Sequence, residues 1–355
     1  MARLMLVHQP VQGGVARHVR DLSRGLEAAG HELVLCAPAP LQSAAGRHFP
    51  LEMGRAVSPT RDLRSAMALA ALIARLRPHL VHAHSSKAGA VARLARLVHP
   101  RTPLVYTPHG YAFAGHFDRE LERRAYRSAE VVLSPLASRV IGVCEAEARL
   151  ARLVGPARRV RVVHNGVAQM DPAPGHGRRP AVICTLTQLR PGKGVQTLLD
   201  AMAGLGAETE ARLVVWGDGP DLGPLQGHAL ALGIEQRVTF AGATPNPLGA
   251  MSDADVFVLP SLAEAFPYVV LEAMSLGLPV IASDVGGVRE ALDDGRAGAL
   301  VAPGDPDALS AALARMLSDR SHAAALATAG ARRVRARFGL EQMISGTLAV
   351  YDEVL

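Results

Sequence analysis

The stretch PSLAEAFPYVVLEAMSLGLPVIASDVGGVRE, residues 260–290, decides how this chain is read. It carries two carboxylates, Glu264 and Glu272, with seven residues between them, and it runs from loop to helix to strand. Pro267 suits the first helical position, where a missing N–H costs nothing and the fixed φ already matches. Val269, Val270, Leu271, Ala273 and Met274 give the helix an apolar body, and Leu278 to Ala282 reads as a buried strand behind it. Glu264 then lies in the loop, and Glu272 about a turn and a half inside the helix. Backbone N–H groups near Phe266 and Tyr268 point out of the helix start, where unpaired donors and the helix dipole suit a phosphate. An acid on each side of an anion pocket suits a ligand with hydroxyls at both ends.

Short apolar runs alternate with amphipathic stretches along the rest of the chain. In the first half Leu4 to Val7, Glu32 to Cys36, Leu80 to Ala83, Leu104 to Thr107, Val131 to Leu133, Val140 to Val143 and Val160 to Val163 read as strands. The second half repeats the pattern near 181–186, 212–216, 237–241, 255–259, 278–282 and 299–302, and helices are expected at about 321–336 and 341–354. That alternation predicts parallel, doubly wound α/β sheets. A length of 355 residues suits two such domains. The Pro- and Gly-rich stretch 168–180 is the expected linker between a first domain, 1–167, and a second, 181–340. Ligands are expected in the cleft the domains face, beyond the carboxyl ends of their strands.

The segment 260–290 closely resembles the donor-site signature of retaining GT-B glycosyltransferases of family four: a Glu, seven residues and a second Glu, with Phe-Pro or Phe-Gly after the first. The resemblance implies a GT-B fold of two Rossmann-like domains, with the terminal helix, 341–355, crossing back onto the first. It implies transfer of a sugar from a nucleoside diphosphate sugar, of the uridine type, to a hydroxyl of a glycan or lipid-linked acceptor, with retention at the anomeric carbon. No metal and no other cofactor is implied. Glu264 would hold the transferred sugar and Glu272 the ribose hydroxyls, with Ala265, Phe266, Pro267 and Val270 lining the donor site.

Other motifs carry the same resemblance. TQLRPGKGVQTL, 187–198, is similar to the family's G-R-L-x-x-x-K-G loop and places Lys193 on the donor diphosphate. Thr187 and Gln188 stand where Gly and Arg are usual, so one cationic contact is missing, with Arg190 as a candidate replacement. Gly13 and Gly14, opening a helix after the first strand, would approach the diphosphate through the backbone. Gly217 in WGDG (216–219) and Gly242 in FAG (240–242) fall where the family meets the nucleotide. HAHSSKAG (82–89) and YTPHGYAF (106–113) look like motifs of bacterial members that build cell-surface polysaccharides. His109 would border the transferred sugar. Ser85 and Lys87 would grip the acceptor or a phosphate, with helix capping as the competing role. The departure at Gln188 keeps open an alternative, a nucleotide-sugar-binding partner subunit of the same fold with little or no turnover. A phosphorylase of the pyridoxal type would need a cofactor lysine, and Lys193 is the only lysine of the second domain.

Composition sets the setting. Apolar residues at 49% with 20% charged are globular rather than disordered. Cys36, Cys144 and Cys184 are far apart and lack C-x-x-C spacing, so neither a disulfide framework nor a structural zinc is expected, and the chain reads as cytoplasmic. The start MARLMLVHQP has no apolar stretch long enough for a signal peptide. Residues 1–170 hold 24 Lys and Arg against 11 Asp and Glu, a balance of +13, whereas 171–355 hold 14 against 21, a balance of −7. A basic first half suits a phosphate-bearing acceptor or peripheral contact with the anionic inner face of a membrane. Nucleic acid is not an expected partner, since aromatics are 4% and no binding module appears. The stretch 61–77 reads as a core-packed helix with solvated Arg-bearing ends rather than a membrane-surface helix. His79, His82 and His84 have no Cys or acidic residue close by, so no metal is expected there.

Overall fold

A computed structural model describes residues 1–54, 56–115, 120–170, 180–206 and 209–355. The chain divides into two compact units, Met1–Asn165 with Leu340–Leu355, and Gly166–Gly339. In the first, strands β1 (Arg3–His8), β2 (Glu32–Ala37), β3 (Arg47–Pro50), β4 (Leu80–His84), β5 (Leu104–Thr107), β6 (Arg139–Gly142) and β7 (Val160–Val162) form one sheet in the order β3-β2-β1-β4-β5-β6-β7. Every pairing is parallel. Such a sheet is covered on both faces, which is why its central strands are continuous apolar runs. Leu4 and Leu6 of β1 face a cluster with Val19, Leu22, Met343, Val350 and Tyr351. Met5 and Val7 face the opposite cluster, with Leu69, Ile73 and Val91.

The first of those clusters joins the helix Gly13–Ala28 to the helix Leu340–Asp352. The latter returns to the first unit as the resemblance implied. The two helices approach closely at Gly25, where a β-carbon would meet Ile344 at 2.2 Å. Tyr351 is tied to β4 through its hydroxyl, 2.6 Å from His82 Nδ1. Helices Pro59–Leu76 and Ser86–Arg96 cover the other face, the former burying Ser65, Ala66, Leu69, Ala70 and Ile73 as a core-packed helix should.

The second unit holds β8 (Ala181–Leu186), β9 (Ala211–Trp216), β10 (Val238–Gly242), β11 (Val256–Leu259), β12 (Val280–Ser283) and β13 (Ala299–Val301), all parallel in the order β10-β9-β8-β11-β12-β13. Its core packs Ile183, Leu213, Val215, Val256, Val258 and Ile281 against Leu198, Met202, Leu309 and Leu313. Burying one such side chain contributes about 1.5–3 kcal/mol. The strand order reverses between β1 and β4 in the first sheet and between β8 and β11 in the second. Loops leaving the carboxyl ends diverge at such a point and open a crevice.

One expectation changes. Val131 to Leu133 is not a strand but the end of the helix Glu120–Leu133, with Val131 47% and Val132 73% exposed. The edge strand β3 and the helix Pro306–Ser318 were not anticipated. The linker placed at 168–180 falls, from 171 to 179, outside the described residues. Cys36, Cys144 and Cys184 are buried and none is in a disulfide, and burial pushes the Cys36 and Cys184 thiols up to about 12. Among the described residues no helix is long and apolar enough to cross a membrane.

Candidate active site

At the switch point of the second sheet, the loop after β8 brings Lys193 to the loop after β11. Lys193 Nζ donates to Glu264 Oε1 at 2.6 Å, with the two side chains 16% and 15% exposed. The backbones are packed too closely for any residue but glycine at two turns. At Gly194 (φ +67) a β-carbon would lie 1.9 Å from the Pro260 carbonyl oxygen, and at Gly286 (φ +53) 1.8 Å from that of Glu264. Leu262 N donates to Gly192 O at 2.9 Å, and Gly287 N to Ala265 O at 2.7 Å. The Lys193–Glu264 pair therefore stands on a fixed frame.

The helix Tyr268–Ser275 follows directly, with Pro267 as its cap at φ −74 and ψ 122. The expected place for Pro267 was one residue further in. The chain stays extended through Pro267, and Phe266 just before it is buried, with its ring 5.2 Å from that of Phe338 between centroids. No acidic residue lies in the first turn to neutralise the positive end of the dipole. Glu272 sits on this helix, 2% exposed. Val270 is 0% exposed and its N–H donates to Pro267 O, so its side chain belongs to the core and is withdrawn from the donor-lining set. Gly217 N donates to Gly242 O at 2.8 Å, joining the ends of β9 and β10.

In the first unit the switch point is crowded with histidines. His8 ends β1, His82 and His84 end β4, His109 follows β5, and His18 projects from the helix Gly13–Ala28. His84 Nδ1 lies 3.1 Å from His109 Nε2, and His18 Nδ1 lies 3.1 Å from Asn165 Oδ1. His82 is held between Tyr351 and Thr107 Oγ1, the latter at 2.8 Å, and its ring lies 3.9 Å from that of His84. Burial pushes His8 and His18 down to about 4 and holds His82, His84 and His109 well below the ordinary imidazole range. All five are therefore neutral at pH 7.

His109 takes a left-handed φ of +54, and Ser85, at the end of the neighbouring strand, takes φ +88. Strain of this kind costs about 1–3 kcal/mol at each residue and persists where surroundings impose it. For His109 the constraint is Glu147, a buried carboxylate that accepts from the next amide, Gly110 N, and from Val143 N at 2.8 Å. Burial pushes Glu147 up to about 7, although both hydrogen bonds pull the other way. The exposed Gly13 and Gly14 open the helix Gly13–Ala28 without an acidic residue in its first turn or a side-chain cap from Gln12.

Residues 12–169 match the profile of Glycosyltransferase Family 4, and residues 168–333 match that of Glycosyl transferases group 1. The chain belongs to glycosyltransferase family four. Its relatives include the N-acetyl-alpha-D-glucosaminyl L-malate synthase of Bacillus anthracis, 26% identical, with 84% of this chain and 80% of that protein covered. A second is the UDP-Gal:alpha-D-GlcNAc-diphosphoundecaprenol alpha-1,3-galactosyltransferase of Escherichia coli, 27% identical, covering 75% of this chain and 73% of that one. The fold is shared with Anabaena Alr3699/HepE, solved in complex with UDP-glucose, at a TM-score of 0.84 and 21% identity over 99% of this chain and all of that one.

Against the family-four loop, Gln188 and Arg190 lie on the same exposed side, and Arg190 Nε donates to Gln188 Oε1 at 3.2 Å. The guanidinium thus stands beside the position where this family usually has its Arg. Lys87, in contrast, spends its ammonium inside the first unit. It bonds Asp62 Oδ1 and Oδ2 at 2.8 and 2.7 Å and Ala56 O at 2.8 Å, using all three donors, so it is withdrawn as an acceptor ligand. Ser85 takes the capping role, its hydroxyl accepting from Ala88 N at 3.4 Å. Sequence reasoning missed His18, Asn165 and Glu147. Only Glu147 left a local signal, since Cys144 accepts from Glu147 N in a Cys-x-x-Glu version of the capping box.

Proposed function

We propose that this family-four protein transfers a sugar from a UDP-sugar to a hydroxyl of a glycan or lipid-linked acceptor, with retention at the anomeric carbon and no metal at the diphosphate. The observation that carries this reading is the Lys193–Glu264 pair at the second switch point, beside a helix start and the buried Glu272. An arriving diphosphate competes for the Lys193 ammonium, and Glu264 is released to accept from sugar hydroxyls. Lys193 and the helix-start amides then offset the charge of the departing nucleotide, the task a divalent ion performs in other enzymes. The bond from the anomeric carbon to the phosphate oxygen breaks as the acceptor oxygen bonds the same face, and the acceptor proton passes to the departing phosphate. His109 borders the transferred sugar as a neutral imidazole. The UDP-glucose complex of Alr3699/HepE and the UDP-Gal and diphosphoundecaprenol in the Escherichia coli relative's name support the donor and acceptor classes.

Lys193→Ala is expected to lower kcat by about 10²–10³, the usual cost of one donor at a developing charge. Glu272→Ala, remote from the reacting carbon, should mainly raise KM for the donor. Mass-spectrometric detection of UDP release with a panel of nucleotide sugars checks both without an acceptor. Wild-type turnover in Lys193→Ala, Glu264→Ala and Glu272→Ala together would end the site assignment. Gln188 supports a second reading, a binding subunit, which predicts UDP binding with no release of sugar from any donor.

The helix Pro59–Leu76 also exposes Leu63 (56%) and Met67 (66%) beside the exposed Arg61 and Arg64. That surface supports peripheral docking on an anionic membrane face. Co-sedimentation with phosphatidylglycerol vesicles, lost in Met67→Asp, is the expected result, and equal sedimentation of both proteins would exclude this helix.

A further inference from the structure

Three of the clustered histidines, His18, His84 and His109, each bring a ring nitrogen within 4.8 Å of the other two. We propose that this trio binds one divalent transition-metal ion of the zinc class, with a fourth position left open beside the half-buried His109. The donor chemistry selects the ion: three imidazoles with no carboxylate or thiolate suit zinc, copper, nickel or cobalt rather than magnesium or calcium. Ligation needs unprotonated rings, and burial keeps all three so at neutral pH.

The spacing is close to what chelation asks. Nitrogens sharing a tetrahedral zinc at 2.0–2.1 Å stand about 3.4 Å apart. His84 Nδ1 and His109 Nε2 are already 3.1 Å apart with a proton between them. His18 has the support a ligating histidine ordinarily has. Its Nδ1 lies 3.1 Å from the Asn165 side-chain oxygen, which holds the ring in place. His82, its ring tilted 37° against that of His84 and bonded to Tyr351 and Thr107, is fixed beside the trio. His84 would ligate through Nδ1, and its other nitrogen, Nε2, is buried with no hydrogen-bond partner. His109 also borders the sugar in the proposed transfer, so an ion held there competes with the donor, and the test reads the ion rather than turnover.

The chelator-stripped protein is titrated with Co2+ and followed by visible absorption, then challenged with Zn2+. One equivalent of Co2+ should give the intense bands of a four-coordinate site, and Zn2+ should bleach them. His109→Ala, at the rim, should weaken Co2+ binding at least tenfold. His84→Gln should do the same, while His79→Ala, whose ring accepts from Arg3 N away from the trio, should bind as wild type. A wild-type protein showing only the pale spectrum of hexaaqua Co2+ would overturn the proposal. So would His109→Ala and His84→Gln variants that both bind Co2+ like the wild type.

Discussion

Glu147 and the neighbouring histidines pull the pH dependence of stability in opposite directions. Glu147 is raised from 4.5 to about 7, so its contribution is full below 4.5 and is lost as pH rises through 7. His8 and His18 are lowered from 6.5 to about 4, so theirs is full above 6.5 and is lost as pH falls through 4. At 1.36 kcal/mol per pKa unit each group is worth about 3 kcal/mol, and two histidines outweigh one carboxyl. His82, His84 and His109 act in the same direction as His8. Metal-free protein is therefore expected to lose stability from pH 6.5 towards 4.5, read as a falling urea midpoint, and a flat midpoint would contradict the buried neutral cluster. Gln188→Arg should tighten UDP binding by about three- to tenfold, the worth of one added charge-assisted hydrogen bond at an exposed site, measured by calorimetry. Both effects start from single residues, yet only Gln188 was legible in the sequence, because it departs from a local pattern. His18, His84, His109 and Asn165 are brought together by folding, and no spacing along the chain announces that.

Among the elements, the helix Glu120–Leu133 was the least legible, for a physical reason. Its only buried residue is Glu130, so the usual 3.6-residue apolar period is missing, and two exposed valines followed by a leucine at its end imitate a strand. What holds it is a buried network. Arg93 Nη1 bonds Glu130 Oε2 at 2.8 Å, Tyr106 donates to Glu130 Oε1 at 3.0 Å, and the Arg93 guanidinium lies 4.3 Å from the Tyr106 ring. Glu130→Ala leaves Arg93 buried and unpaired and should cost about 3–5 kcal/mol in chemical unfolding. The double change Arg93→Met with Glu130→Leu should cost clearly less, and equal losses would deny the pairing. The loop after β11 is governed differently. Gly286→Ala drives a β-carbon into the Glu264 carbonyl at a left-handed φ, so donor affinity and stability should both fall. An unaltered UDP isotherm in that variant would mean the loop gives way freely. The legible elements were β1, β4, β8 and β11, whose buried apolar runs leave no other reading. The edge strand β3, with no residue buried, gave no such signal.

For the whole molecule, the division into two units means that each can be asked to stand alone. A fragment spanning 166–339 keeps its complete six-stranded sheet and core, and it is expected to unfold cooperatively and to bind UDP with most of the parent's affinity. An unfolded fragment would show that its sheet depends on the other unit. Removing 340–355 is a different matter, since Met343, Val350 and Tyr351 leave the core beneath β1. At about 1.5–3 kcal/mol for each buried side chain, that truncation removes an amount comparable to the net stability of a domain, and thermal melting should show the first unit lost while the second survives. The returning helix also sets a clock during synthesis. It is encoded after the whole of Gly166–Gly339, so a nascent chain that has already emerged with its seven-stranded sheet must wait for 174 further residues. At about 5–20 residues per second the ribosome leaves that apolar face uncovered for roughly 10–35 s. The earlier-encoded unit therefore cannot complete its core until the later-encoded one has been made.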